Sequence, residues 1–214
     1  MSKSKGNVVE PHAILDKFGL EAVKYYLLRE STLGTDGDYS DVQLMNRFNS
    51  EVVDTYGNLI SRIFSPKLNG VEWPKLTGTP NEVDQALISK WNSLALELPP
   101  LFEKCEFNKA IFLIFDALRA TNKYLAEEKP WVLKKETSEE KKERLEMVLF
   151  IGAEAVRISS IHLQSILPTA TQKVLDLMNV PVSQRNPMVH AQFGYEYSGA
   201  TPRENVVLFP KIVV

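Results

Sequence analysis

Apolar side chains recur at steps of three and four along most of this chain, the spacing that places them on one face of an α-helix. After Pro11, which suits a first helical turn, come Ile14, Leu15, Phe18, Val23, Tyr26 and Leu27. Gly19 interrupts this run and predicts one broken helix or two short ones. Residues 31–40 are rich in turn formers and read as a loop, with Ser40 placed to cap the next helix. Val42, Met45, Phe48, Val52, Tyr56, Leu59, Ile60 and Ile63 predict a helix from Asp41 to Phe64. Further helices are expected over residues 82–103, 108–128, 139–167 and 169–178. Pro99-Pro100 should bend or break the first of these, and Pro130 and Pro168 should act as stops. The last 35 residues alternate proline, glycine and aromatic positions and read as extended chain that must pack on something.

No repeat and no series of strands is visible. The expected fold is all-α: an antiparallel bundle of about five helices with a basic entry loop and a non-helical tail. Length suits one domain or one and a half. Hydrophobic residues make up 44% and charged residues 24% of 214, an ordinary globular mix. The formal charge of −2 supplies no global field to gather nucleic acid, so any RNA contact must be local. The single cysteine, Cys105, excludes an internal disulfide and is expected to be a buried or partly buried spectator, while three scattered histidines show no metal-ligand spacing. Trp73 and Trp91 read as packing residues. No run of eighteen apolar residues suggests a membrane span.

The most specific text is at the start: Met1-Ser2-Lys3-Ser4, then Lys5-Gly6-Asn7-Val8-Val9-Glu10-Pro11. Taken as chemistry, lysines, hydroxyls and a glycine make a loop able to close over a polyphosphate. Taken as composition alone, a lysine-rich start is usually a solvated tail. Their order resembles the KMSKS signature loop of class I aminoacyl-tRNA synthetases, which usually continues Gly-Asn-Val-Val-Asp-Pro. The signature's first lysine and the HIGH motif of such enzymes are not in this sequence, so the resemblance implies a C-terminal portion.

Four further stretches resemble methionyl-tRNA synthetases in particular. They are the loop 33–40, Asn58-Leu59-Ile60-Ser61-Arg62, Lys129-Pro130-Trp131, and Val207-Leu208-Phe209-Pro210-Lys211-Ile212. The resemblance spans nearly the whole chain, in order. It implies an ATP-dependent methionine–tRNA ligase, with Met1, Ser2, Lys3 and Ser4 binding ATP (with Mg2+) and Lys3 acting catalytically on the phosphates. It also implies that Asn58, Arg62 and Trp131 recognise the CAU anticodon of methionine tRNA. The residues are chemically apt: Asn58 and Arg62 stand one helical turn apart, and an indole after a proline can stack on an unpaired base. Lys134 and Lys135 are candidates for tRNA phosphates.

The division expected is 1–40 for the signature loop and connecting helices, 41–180 for the anticodon-binding bundle, and 181–214 for the tail. No metal site is expected in the chain, which reads as a monomer. The mitochondrial matrix is the suspected compartment, with the cytoplasm as alternative. A free-standing helical tRNA-binding or scaffold protein derived from such an enzyme is the other functional reading. Because the family's tail packs towards the catalytic side, exposed apolar area is expected around Tyr25, Tyr26 and the tail.

Overall fold

The computed structural model describes residues 10–32, 34–35, 39–68, 72–199, 201 and 206–213. Among them there are helices and no strand, as the apolar spacing predicts. Gly19, with φ of 79°, separates α1 (Pro11–Phe18) from α2 (Leu20–Glu30), so the first run is two short helices. The Glu10 carboxylate caps α1 by accepting from Ala13 N at 2.7 Å.

Next, α3 (Asp41–Arg47), a π-helical segment (Phe48–Gly57) and α4 (Asn58–Ile63) run on without a break. Both junction residues, Phe48 and Asn58, keep right-handed helical backbone angles. Ser40 caps the start, as expected. The π segment has wider turns than the three-and-four spacing anticipates.

A capping box formed by Asn81 and Asp84 opens α5 (Glu82–Glu103). Of the bend or break expected at Pro99-Pro100, the break does not occur: α5 continues through both prolines. The carbonyls these prolines leave without a helical donor belong to Ala95 and Leu96. Leu96 is exposed, so water can satisfy its carbonyl. Then come α6 (Phe107–Glu128), α7 (Pro130–Leu133), α8 (Glu139–Leu163) and α9 (Pro168–Leu177). The tail contains a 3₁₀ turn (Val182–Gln184) and α10 (Pro187–His190), so it is less uniformly extended than its proline content suggests. Cys105 lies in the sharp turn between α5 and α6, at φ of 56°, and is exposed rather than buried. No helix among the described residues is long and apolar enough to cross a membrane.

The organising element is α8. Every residue from Met147 to Leu163 is buried, which marks a helix covered on all sides. It touches α4, α5, α6, α7, α9 and α10. Close approach by α4 depends on Gly152, because a Cβ built there would overlap Ile63 Cδ1 and meet Leu125 Cδ2 of α6 at 3.6 Å.

Tyr25 and Tyr26 themselves are covered, but the expected exposed apolar area is present beside them at Leu20 and Leu27 and along the tail at Val182, Met188, Val189, Val207 and Val213. Tyr25 packs edge-on to Phe48 and Phe115, and its hydroxyl donates to Glu51 at 2.5 Å. Arg29 from α2 also holds Glu51, through two hydrogen bonds of 3.1 Å. Tyr26 meets Tyr39 edge-on. These two rings thus find their cover on the bundle itself.

Other residues of the tail are seated on the bundle. Residues 206–213 run antiparallel to the π segment and α4. Ser61 Oγ donates to the Val206 carbonyl at 3.3 Å, and the Phe209 ring packs on Phe48, Tyr56 and Gly57. Lys211 pairs with Asp54 at 3.0 Å. Asn49 donates to the Ile212 carbonyl and accepts from its N–H, both at 2.9 Å.

A buried ion pair fastens the preceding stretch. Glu154 and Arg157, both on α8, are 0% exposed and joined by hydrogen bonds of 2.7 and 2.9 Å. Arg157 also donates to the carbonyls of His190 and Gln192, each at 2.6 Å. Glu154 accepts from Gly194 N, Tyr195 N and the Tyr197 hydroxyl at 2.8, 3.2 and 2.7 Å. Tyr197 then stacks on Trp73, which meets Phe64 edge-on just beyond α4.

Candidate nucleic-acid interface

The apolar residues of α4, Leu59, Ile60 and Ile63, turn inward and are buried. This forces Asn58 and Arg62 onto the opposite side, where both are only partly buried. The i, i+4 pairing expected from sequence is therefore realised on regular α-helix, immediately past the π segment.

Asn58 is held in a relay of amides. The Asn122 side chain, on α6, donates to the Thr55 carbonyl at 3.0 Å and to its own helix at Leu118 O at 3.3 Å. Its oxygen then accepts from Asn58 Nδ2 at 3.4 Å. With that NH2 group engaged, the Asn58 oxygen is left to meet an incoming donor, such as an exocyclic amine on a base. The Arg62 side chain makes no hydrogen bond or ion pair with a described residue, so its guanidinium can turn to a ligand.

Trp131 stands on a different element. Lys129, at φ of 49° and ψ of 60°, ends α6 in the left-handed region, and Pro130 opens α7. Pro130 is buried and anchors the elbow, whereas Trp131 is 44% exposed. Trp73 and Trp91 are buried, the latter donating to Thr121 at 3.0 Å, so both are packing residues as expected. Asn122 and the end of α6 at Glu128 are separated by about 9 Å of helical rise, which puts the Asn58–Arg62 face and the Trp131 elbow towards one end of the bundle. No direct contact joins Trp131 to Asn58 or Arg62 among the described residues. The surface can offer one amide oxygen, one guanidinium and one aromatic plate to a splayed single strand.

Under the elbow lies a polar cluster. Asp84, fully buried, receives Arg144 through hydrogen bonds of 2.5 and 2.9 Å, and the Tyr124 hydroxyl at 2.6 Å. Burial alone would raise the Asp84 carboxyl, but hydrogen bonds from Arg144, Tyr124 and the Asn81 backbone hold it below the ordinary value. Arg144 also pairs with Glu128 at 2.7 Å.

No motif or spacing in the sequence singles out Asn122, Asp84 or Arg144 for this surface; Asn122 falls among the apolar positions of its helix. Met1, Ser2, Lys3 and Ser4 lie outside the described residues. Among the described residues, no group of three or more His, Cys, Asp or Glu could hold a metal ion.

Residues 1–64 match the family model described as tRNA synthetases class I (M). A Dictyostelium discoideum protein named "Probable methionine--tRNA ligase, mitochondrial" is 36% identical over 99% of this chain and 39% of its own length. The methionine–tRNA ligase of Caldanaerobacter subterraneus is 34% identical over 100% of this chain and 33% of its own. Among solved structures, Mycobacterium tuberculosis methionyl-tRNA synthetase in complex with methionyl-adenylate superposes with a TM-score of 0.89 at 32% identity, over 97% of this chain and 41% of that one. The chain therefore spans a third to two fifths of the length of these relatives, which include mitochondrial and bacterial proteins. Since the likeness of sequence and of fold runs along essentially the entire chain, the protein belongs to the methionyl-tRNA synthetase family.

Proposed function

We propose that these 214 residues are the tRNA-recognising C-terminal part of a methionine–tRNA ligase. The whole enzyme would join methionine to ATP as methionyl-adenylate, releasing pyrophosphate, and pass the methionyl group to the terminal adenosine of methionine tRNA, releasing AMP. The likeness to a synthetase solved with methionyl-adenylate supports this chemistry. In this reading residues 1–40 are the signature loop and connecting helices, 41–180 the anticodon-binding bundle, and 181–214 the tail. Lys3 neutralises developing charge on the ATP phosphates, helped by Met1, Ser2 and Ser4, with Mg2+ accompanying the nucleotide. The 214 residues alone, as a monomer, bind tRNA without activating methionine. The mitochondrial matrix is the compartment we favour, supported by the mitochondrial relative.

The anticodon reading rests above all on one observation: an amide and a guanidinium on α4 and an exposed indole on α7, two elements that both pack on α8, stand ready at one end of the bundle. Trp131 stacks on the first anticodon base, while Asn58 and Arg62 take base edges or phosphate. Base stacking on an aromatic side chain is worth about 1–3 kcal/mol. Trp131→Ala should therefore weaken binding of a methionine anticodon stem-loop by about 5- to 150-fold and erase the preference for CAU. Fluorescence anisotropy with stem-loops altered at the first anticodon base measures both. An unchanged preference would refute the assignment.

A further inference from the structure

We propose that Arg144 is a positioning residue for Trp131, acting through Glu128. This deepens the anticodon reading and rests on it. Trp131 belongs to α7, a helix of four residues, which cannot hold its own orientation by internal hydrogen bonding. Its direction must come from outside itself, from α8, on which it packs, and from the turn before it. That turn is the left-handed Lys129, whose N–H bonds back to Leu125 and whose carbonyl accepts from Val132 N at 2.7 Å. Glu128 is the last residue of α6, immediately before it.

Glu128 is gripped by Arg144 from α8, Nε to Oε2 at 2.9 Å and Nη2 to Oε1 at 2.7 Å. The two forked contacts fix the carboxylate in a plane. Arg144 is itself immobilised because its Nη1 and Nη2 also hold both oxygens of the fully buried Asp84. Asp84 is tied in turn to the start of α5 through Asn81 N at 3.0 Å and to α6 through Tyr124. One guanidinium therefore locks the first turn of α5, the last turn of α6 and the first turns of α8 around the elbow. A lysine would keep the charge but could not span both carboxylates in the same plane.

The test uses the 214-residue chain labelled with 5-fluorotryptophan, which gives one signal for each of its three tryptophans. Trp131→Phe assigns the signal of interest. Glu128→Gln and Arg144→Lys should each shift or broaden the Trp131 fluorine resonance and weaken the CAU stem-loop by about fivefold or more. Thr171→Val, a comparable loss of a buried hydrogen bond far away on α9, should lower stability while leaving that resonance in place. The proposal is overturned if Glu128→Gln leaves the resonance unchanged and binding within about twofold. It is also overturned if Thr171→Val moves the resonance as much. Trp131→Ala in the same titration separates the two ideas. If it binds as tightly as the parent, the anticodon reading fails, and the fluorine signal still decides whether Arg144 orients the indole.

Discussion

Consider replacing Glu154 by glutamine, the smallest change that discharges the ion pair inside α8. The two carboxylate oxygens accept from five donors. Arg157 Nε and the Tyr197 hydroxyl meet Oε1, and Arg157 Nη2, Gly194 N and Tyr195 N meet Oε2. An amide turned either way points its NH2 at two or more of these donors. Each donor left unsatisfied in the interior costs about 1–3 kcal/mol. Arg157, 0% exposed, becomes a lone buried cation. Breaking one side of such a pair typically costs about 3–5 kcal/mol, a large share of the roughly 5–15 kcal/mol that holds a domain folded. Urea unfolding followed by circular dichroism should show this loss. Limited proteolysis should show new cleavage in residues 185–199, because the carboxylate is what holds 194–197. The double variant Glu154→Leu/Arg157→Met removes both charges, so it should be more stable than the worse single variant, although it orphans the backbone groups of the tail. A loss under about 1 kcal/mol with unaltered cleavage, or a double variant whose loss is the plain sum of the singles, would refute the reasoning.

Three further outcomes are expected. Burial, reinforced by the charge of Arg157, lowers the His162 imidazole from 6.5 to about 4. The folded chain thus binds fewer protons than the unfolded one, so this contribution to stability is present above pH 6.5 and is lost as pH falls towards 4, by about 3 kcal/mol in all. His162→Leu should flatten that limb of a stability–pH curve, and an unchanged slope between pH 6.5 and 4 would count against it. Gly152→Ala should cost up to about 2 kcal/mol in urea unfolding, because the new methyl must push the end of Ile63 aside while the helix gains about 1 kcal/mol of propensity, and a net gain in stability would show that Ile63 turns away freely. Asn49→Ala deletes two hydrogen bonds to Ile212, and should cost about 1–2 kcal/mol and speed proteolysis of 206–213.

The helices were legible because Leu59, Ile60 and Ile63, or Ile111, Ile114, Phe115 and Leu118, must share a face wherever an α-helix forms. The breaks were legible where Gly19 and Pro130 leave the backbone little choice. Pro99-Pro100 leave α5 unbroken because a proline's cost depends on whether the freed carbonyls reach water, which spacing does not record. Cys105 misled for a similar reason: thiols favour interiors, but a left-handed turn between two helices is at the surface. The exposed apolar area expected around Tyr25 and Tyr26 came from the family's habits rather than from the residues; it falls beside the two rings, at Leu20 and Leu27, while Phe48, Phe115 and Glu51 supply cover. The buried Glu154–Arg157 pair did leave a signal. It is the only oppositely charged pair between Met147 and Leu163, and lies three residues apart in an otherwise apolar run. The partners that orient the candidate site, Asn122, Asp84 and Arg144, come from separate helices, and no local pattern connects residues 60 or more positions apart.

The π segment gives the candidate site an unusual dependence on chain length. Asn58 is the first residue after ten that wind more loosely than an α-helix, so the compass bearing of Asn58 and Arg62 is set by how many residues lie in that stretch as much as by which ones. Removing one residue there and letting the rod rewind as α would change the bearing of everything beyond it, because nine tightly wound residues do not sweep the same angle as ten loosely wound ones. That change would carry Asn58 away from Asn122 and buried Leu59 out of its place. A one-residue deletion within Phe48–Gly57 is therefore a more severe change than most substitutions at Asn58 itself, and the count of residues between Asp41 and Asn58 is part of the site.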